Sequence, residues 1–363
     1  MLGNALVVDA VVHPYDLGPD NQIPPAREQL EAVYAYHRLC TGPHPEYVLT
    51  GDEFYADFDG DDLTEAIFAE SPVDLAIIHA LPNLGFTKGG VTDPGRMAAL
   101  RDRHPGRYLL YATVDTPVAD TAIAQLEAQV EDFGVDGLKL YPAFFYDGDG
   151  HGWRLDGPDF ATPLLEAAAD LGIRNVAVHK AIPVPPAPEG CFRIDDVGGA
   201  LERFPQINFH LVHAGVAFLP ETAALLAGHP NVYANLESTF AFLLSKPRVF
   251  AQVLGRLLLA GGPERCLFGS GANLTHPRLL LDAFEIFEMP EDLVAEHGYP
   301  ELTPEIRALI LGGNALRTHG LDVATVRQGI EGDAFEQTKA DGLAGPPWRR
   351  LRARAAATAG VLR

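Results

Sequence analysis

Short apolar runs that end on a polar side chain recur eight times along the chain. They lie at 5–13 (ALVVDAVVH), 73–80, 107–115, 135–142, 174–180, 207–215, 231–238 and 265–270. Each is brief, rich in β-branched or aromatic residues and bounded by Gly, Pro or Asp, which is the pattern of strands buried on both faces. Most are separated by windows with apolar residues every three or four positions, among them TAIAQLEAQVEDFG, TPLLEAAADLG, LPETAALLAG and PRVFAQVLGRLLLAGG. That spacing predicts amphipathic helices, and several close on Gly, as helix C-termini prefer. Strand alternating with helix implies parallel pairing through right-handed crossovers. Eight such units over roughly 270 residues predict an α/β fold of the (β/α)8 TIM-barrel type rather than an open doubly wound sheet. No GxGxxG opens the first unit, which weakens a dinucleotide-binding reading further.

One barrel is therefore expected over 1–330, interrupted after its first strand by an insertion at about 15–60 rich in Pro, Gly, Asp and Tyr. An insertion there lies on the side where barrel sites form, so it serves as a lid or as a contact between subunits. Residues 331–363 form a basic C-terminal tail ending WRRLRARAAATAGVLR on an otherwise acidic body. It is expected to pack on the barrel or on a neighbouring subunit.

The formal charge of −22 argues against nucleic acid or an anionic membrane as partner. Cys40, Cys191 and Cys266 share no CxxC spacing, so neither a disulfide framework nor a thiolate metal site is indicated. The N-terminal stretch lacks a signal-peptide pattern and no apolar run is long enough to span a bilayer, so a cytoplasmic location is expected. Arg outnumbers Lys 22 to five, with lysines only at 88, 139, 180, 246 and 339.

Barrel chemistry sits where strands end. Those ends carry His13, His79, Asp115, Lys139 and Tyr141, His179 and Lys180, His213, Glu237, and Ser270 with Asn273 just beyond. A single His on a strand is ordinarily a hydrogen-bonded core residue, but four of the 13 histidines lie at strand termini. Neutral imidazoles and a carboxylate around one point suit Zn²⁺ or a similar divalent ion. Glu237 is a candidate ligand or base, with a rim salt bridge as the alternative. Asp9 shares the parity of Val11 and His13 and points inward, whereas Lys180 has the parity of the barrel wall and reads as structural. Aromatic residues cluster after the fourth strand (Tyr141, Phe144, Phe145, Tyr146, Trp153) and in the insertion (Tyr47, Phe54, Tyr55). They are candidates for an apolar substrate pocket, or for loop packing alone.

The pieces VVDAVVHPYD, GVDGLKLYPAF, AVHKA, FHLVHAGV, CLFGSGANLTHP and ILGGNALRTHGLD, in this order from residue 7 to about 322, resemble the amidohydrolase-related family of metal hydrolases and non-oxidative decarboxylases. The resemblance implies that His13 is the second His of a first-strand HxH pair and that His179 is the fifth-strand metal ligand. His213 then binds metal or moves protons, and Asn314 and Arg317 belong to a structural signature. Two positions depart from the family: Val11 stands where it has the first His, and Gly271 where it has an Asp that binds metal and takes a proton from water. Lys139 is either a charge for a substrate anion, a partner for Glu237 or, as in some relatives, a carbamylated metal bridge.

The leading expectation is thus a metal-dependent hydrolase acting on an amide, ester or thioester of a small apolar or aromatic molecule. Its metal ligands are His13, His179 and Glu237, zinc being the expected ion. His213, Glu237 and Lys139 carry the catalysis, and Tyr141, Phe145 and Asn273 contact substrate. Non-oxidative decarboxylation in the same scaffold is the alternative, and a metal-free barrel that binds a ligand or partner the third. Copies are expected to associate as a homo-oligomer, a homodimer in the simplest case.

Overall fold

The computed structural model describes residues 5–23, 26–83, 85, 87–146 and 149–361. The extreme N-terminus and the tip of the loop at 147–148 lie outside the described residues. Eight parallel strands make one sheet in sequential order: Val8–Val12, Leu75–His79, Tyr108–Thr113, Gly137–Leu140, Asn175–His179, Asn208–Val212, Val232–Asn235 and Cys266–Leu267. The eighth returns to the first. Ala10 N–H donates to Phe268 O at 2.9 Å, Gly271 N–H to Val11 O at 3.0 Å and His13 N–H to Ala272 O at 2.9 Å. The fold is the expected (β/α)8 barrel.

Side-chain alternation divides the core in two. Val8, Ala10, Leu75, Ile77, Tyr111, Ala177, Val212 and Leu267 fill the barrel interior, while Ala76, Ile78, Leu110, Leu138, Val176 and Phe209 face the surrounding helices. Both faces are buried, so each strand reads as an unbroken apolar run. The interior also holds an unusual polar layer: His79 stacks on Tyr111 at 4.8 Å, and Tyr111 Oη meets His319 Nε2 at 2.8 Å. His210 lies 6.4 Å from the Tyr111 ring.

The insertion after the first strand contains a helix, Ala26–Thr41, that contacts Phe242–Ser245 after the seventh strand. His37 pins it there: one ring nitrogen faces Leu274 O at 2.8 Å and the other faces the Leu49 N–H at 2.9 Å. A carbonyl on Nδ1 and an N–H on Nε2 leave one tautomer, protonated at Nδ1.

The basic tail packs against the acidic flank of the insertion and the second unit. Its helix Arg349–Val361 places Arg350 beside Asp61 at 3.3 Å and Arg354 against Asp62, while Arg349 pairs with Glu65. Trp348 is fully buried, and its ring N–H donates to Tyr47 O at 2.8 Å. Beneath it Glu70 accepts from Trp348 N–H (2.7 Å), Arg349 N–H (2.8 Å) and His276 (2.9 Å). Tyr47, Phe54 and Tyr55 follow the loop-packing alternative rather than lining a pocket. No described helix is long and apolar enough to cross a membrane.

Candidate active site

A cavity of about 570 Å³ opens at the C-terminal ends of the strands. Its floor is Val11, His13, Lys139, Tyr141, His179, Val212, His213 and Glu237, and its walls are apolar. Tyr15, Leu17, Leu30, Val33 and Tyr36 of the insertion form one wall, and the run Ile182–Pro186 after the fifth strand forms the opposite one. Strand ends supply the polar groups and loops supply the covering, as barrel sites require.

Hydrogen-bond direction fixes the proton positions in the floor. His179 Nε2 lies 2.8 Å from Ile182 O, which only accepts, so Nε2 carries the proton. Burial, reinforced by the His213 and Lys139 charges, holds His179 well below the usual histidine range, so the ring is neutral and its Nδ1 accepts. That nitrogen lies 3.0 Å from His213 Nε2, which therefore donates. His213 Nδ1 then faces the Glu237 carboxylate in close contact. Two lone pairs do not pack against each other there, so a proton sits between imidazole and carboxylate. Ser238 Oγ adds bonds to both Glu237 oxygens (3.0 and 2.9 Å) and lies 3.1 Å from His213 Nδ1. Burial alone raises the Glu237 pKa, but the His213 charge and the hydrogen bonds outweigh it, and the net shift is downward. His213 and Ser238 hold this geometry with left-handed backbones, φ 67° and 62°, which non-glycine residues adopt only under constraint.

Glu237 fills the space beside Gly271. A Cβ built on Gly271 would lie 2.2 Å from Glu237 Oε1, and Gly271 has φ +65°. Only a glycine at 271 leaves that space to the carboxylate.

His13 stacks on Tyr15 at 4.9 Å and donates from Nδ1 to His79 O at 3.1 Å, leaving Nε2 as its lone-pair nitrogen. Burial and Lys139 depress its pKa to about 3. Lys139 is 1% exposed, lies 5.1 Å from the Tyr141 ring, and makes no hydrogen bond or ion pair through its ammonium group with the described residues. Burial pulls its pKa down to about 7 against the opposing pull of Glu237. The Lys139–Glu237 ion pair, one of the alternatives for this lysine, is not formed, because Glu237 is engaged by His213 and Ser238. Asp9 is buried between Val8 and Ala10, accepting from Ser270 N–H at 2.9 Å and Ser270 Oγ at 2.5 Å, and burial pushes its pKa up to about 7.

The expected metal ligands do not fit a metal centre. Val11 and Gly271 offer no donor. In this arrangement His179 and His213 face each other, both Glu237 oxygens accept hydrogen bonds, and His13 Nε2 is the one nitrogen of these three imidazoles without a hydrogen-bond partner among the described residues. Among the described residues no three His, Cys, Asp or Glu side chains come together as a metal site. His13, His179 and Glu237 are neighbours in one pocket, but not as a ligand set.

Two expected substrate residues lie elsewhere. Phe145 belongs to a hairpin, Ala143–Tyr146 with Asp149–Gly152, and packs beside Ala143, Cys191 and Phe192. Asn273 is buried outside the cavity lining with its side-chain oxygen unpartnered. Phe144 and Trp153 pack on Phe160, so Tyr141 alone of the aromatic candidates reaches the pocket. Asp115 is exposed. Lys180 is in the wall, paired with Asp196 at 2.7 Å.

The amidohydrolase family profile matches residues 61–321. The chain belongs to that family. No curated protein matches it. Among solved structures it is similar to an uncharacterised TIM-barrel protein from Bordetella bronchiseptica, with 16% identity, 86% of this chain and 99% of that one covered, and a TM-score of 0.62. A 5-carboxyvanillate decarboxylase from Novosphingobium aromaticivorans, solved with manganese and 4-hydroxy-3-methoxy-5-nitrobenzoic acid, has 12% identity over 88% and 97% of the chains, TM-score 0.55. A probable 2-pyrone-4,6-dicarboxylic acid hydrolase from Acinetobacter baumannii has 15% identity over 87% and 99%, TM-score 0.52. At these identities the likeness concerns the fold. Both decarboxylases and hydrolases share it, and divalent metals serve in the family.

Proposed function

We propose that the pocket catalyses non-oxidative decarboxylation of a small, largely apolar organic acid. The observation that carries this is the close contact of the His213 imidazole with the buried Glu237 carboxylate. A buried imidazole–carboxylate pair that already holds a proton is equipped to give one up. Loss of CO2 leaves an electron pair on carbon that needs such a donor. The apolar walls strip water from a bound carboxylate and favour its conversion to neutral CO2. Hydrolysis of a carbonyl-type bond, the other reading in this family, needs a water made nucleophilic. Zinc has no ligand set here to make one, Glu237 is already the acceptor of His213, and His13 with its depressed pKa is a weak base.

The experiment is a panel of aromatic and 3-oxo acids incubated with the protein in D2O. Release of CO2 with one deuterium at the vacated carbon is expected. Glu237→Gln and His213→Gln are expected to slow it ~10²- to 10⁴-fold, the usual worth of a positioned acid. Cleavage of an ester or amide with solvent oxygen entering the product, and no CO2 from any acid, would overturn the proposal.

A further inference from the structure

Of the five lysines, three are at least partly buried, and two of those are neutralised. Lys180 donates to both Asp196 oxygens (2.7 and 2.8 Å) and to Cys191 O (2.8 Å), and Lys339 to Asp74 (2.6 Å) and Val73 O (2.6 Å). Lys139 has no such partner. Its amine stands in the cavity floor, 5.1 Å from the Tyr141 ring, with no hydrogen bond to the described residues. Holding an unpaired ammonium in such a place is costly, so a free base is the better occupant.

We infer that Lys139 is a covalent catalytic residue that forms an imine with a carbonyl-bearing substrate, and that the acid decarboxylated in this pocket is a 3-oxo acid. The inference rests on the decarboxylase reading above for the fate of the acid, but the imine stands on the lysine alone. The burial that holds the Lys139 pKa near 7 keeps much of the amine unprotonated at neutral pH.

The steps balance. The Lys139 Nζ lone pair adds to the substrate carbonyl, and the carbinolamine takes one proton from solvent and loses water to give a protonated imine. The bond to the carboxylate carbon breaks, CO2 leaves, and its electron pair flows towards the iminium nitrogen as an enamine. The proton held by His213 and Glu237, which line the same cavity, passes to the enamine carbon. Water then hydrolyses the protonated imine, releasing ketone, free amine and one proton, which returns to the His213–Glu237 pair.

The test is reductive trapping. The full chain is incubated with acetoacetate and borohydride, digested and mapped by mass spectrometry. A single reduced isopropyl adduct on Lys139 is expected, with Lys88, Lys180, Lys246 and Lys339 unmodified and activity lost in step with labelling. Mapping on the unmutated protein needs no variant. Lys139→Met, checked for folding by circular dichroism, should take up no label. Labelling confined to other lysines, or CO2 release from 3-oxo acids that persists in Lys139→Arg, would overturn the inference. CO2 release from aromatic acids alone, with Lys139 unlabelled, keeps decarboxylation and overturns the imine. An undecarboxylated adduct on Lys139 without CO2 release keeps the imine and overturns decarboxylation.

Discussion

Replacing Gly271 by Ala tests where the Glu237 carboxylate lies. The new Cβ would stand 2.2 Å from Glu237 Oε1, 3.0 Å from Cδ and 3.2 Å from Cγ, so the carboxylate must leave its place. Leaving breaks its contact with His213 and its two bonds from Ser238. Disrupting a buried ionic pair costs about 3–5 kcal/mol, an upper bound here because the side chain is displaced rather than deleted. Alanine at φ +65° adds ~1–2 kcal/mol of backbone strain. The expected total is therefore about 3–6 kcal/mol, read as a lowered urea midpoint at pH 7. In a Glu237→Ala background the clash disappears and only the backbone strain should remain, so the two substitutions should be strongly non-additive. Equal costs in both backgrounds, each near ~1 kcal/mol, would refute the placement of the carboxylate.

Other expectations follow from separate parts of the molecule. Glu70→Gln leaves three donors in a buried spot without their anion, and should cost about 2–4 kcal/mol while making the tail helix sensitive to trypsin in native conditions. His210 is held near pKa 3 by burial, reinforced by the charge of His319. Its folded pKa lies below the unfolded value of 6.5, so its contribution is present above pH 6.5 and lost as pH falls towards 3. His210→Phe should therefore flatten the fall of stability with acid by ~1.4 kcal/mol per pH unit between these limits, measured by urea titrations at several pH values. Val33→Trp fills the cavity from the insertion side and should abolish turnover with little change in melting temperature, since Val33 is only partly buried.

The barrel was legible because parallel strands buried on both faces leave an unbroken apolar signature and end where the chemistry sits. Period alone put His13, Lys139, Tyr141, His179, His213 and Glu237 on one rim, and all six line the cavity. What those residues do there was less accessible. A ligand set and a hydrogen-bonded chain use the same residue types, and only the positions of Ile182 O and Ser238 Oγ distinguish them. Of the pocket walls, the insertion at about 15–60 was expected as a lid and does supply one of them, but the individual wall residues and the run after the fifth strand were missed. Tyr15, Tyr36 and Ile182–Pro186 depend on how two irregular segments fold back, which no periodicity encodes, although the proline-rich run AIPVPPAP after the fifth strand was a visible sign of a rigid wall. Phe145 misled because alternation places a hairpin residue on either face with equal ease.

The most direct check is turnover after metal removal. Protein dialysed against dipicolinate and shown by elemental analysis to be free of zinc and manganese should release CO2 at the undialysed rate, with deuterium from D2O in the product. Activity that disappears on chelation and returns with Zn²⁺ or Mn²⁺ would contradict the assignment of the proton between His213 and Glu237 as the working group of the site.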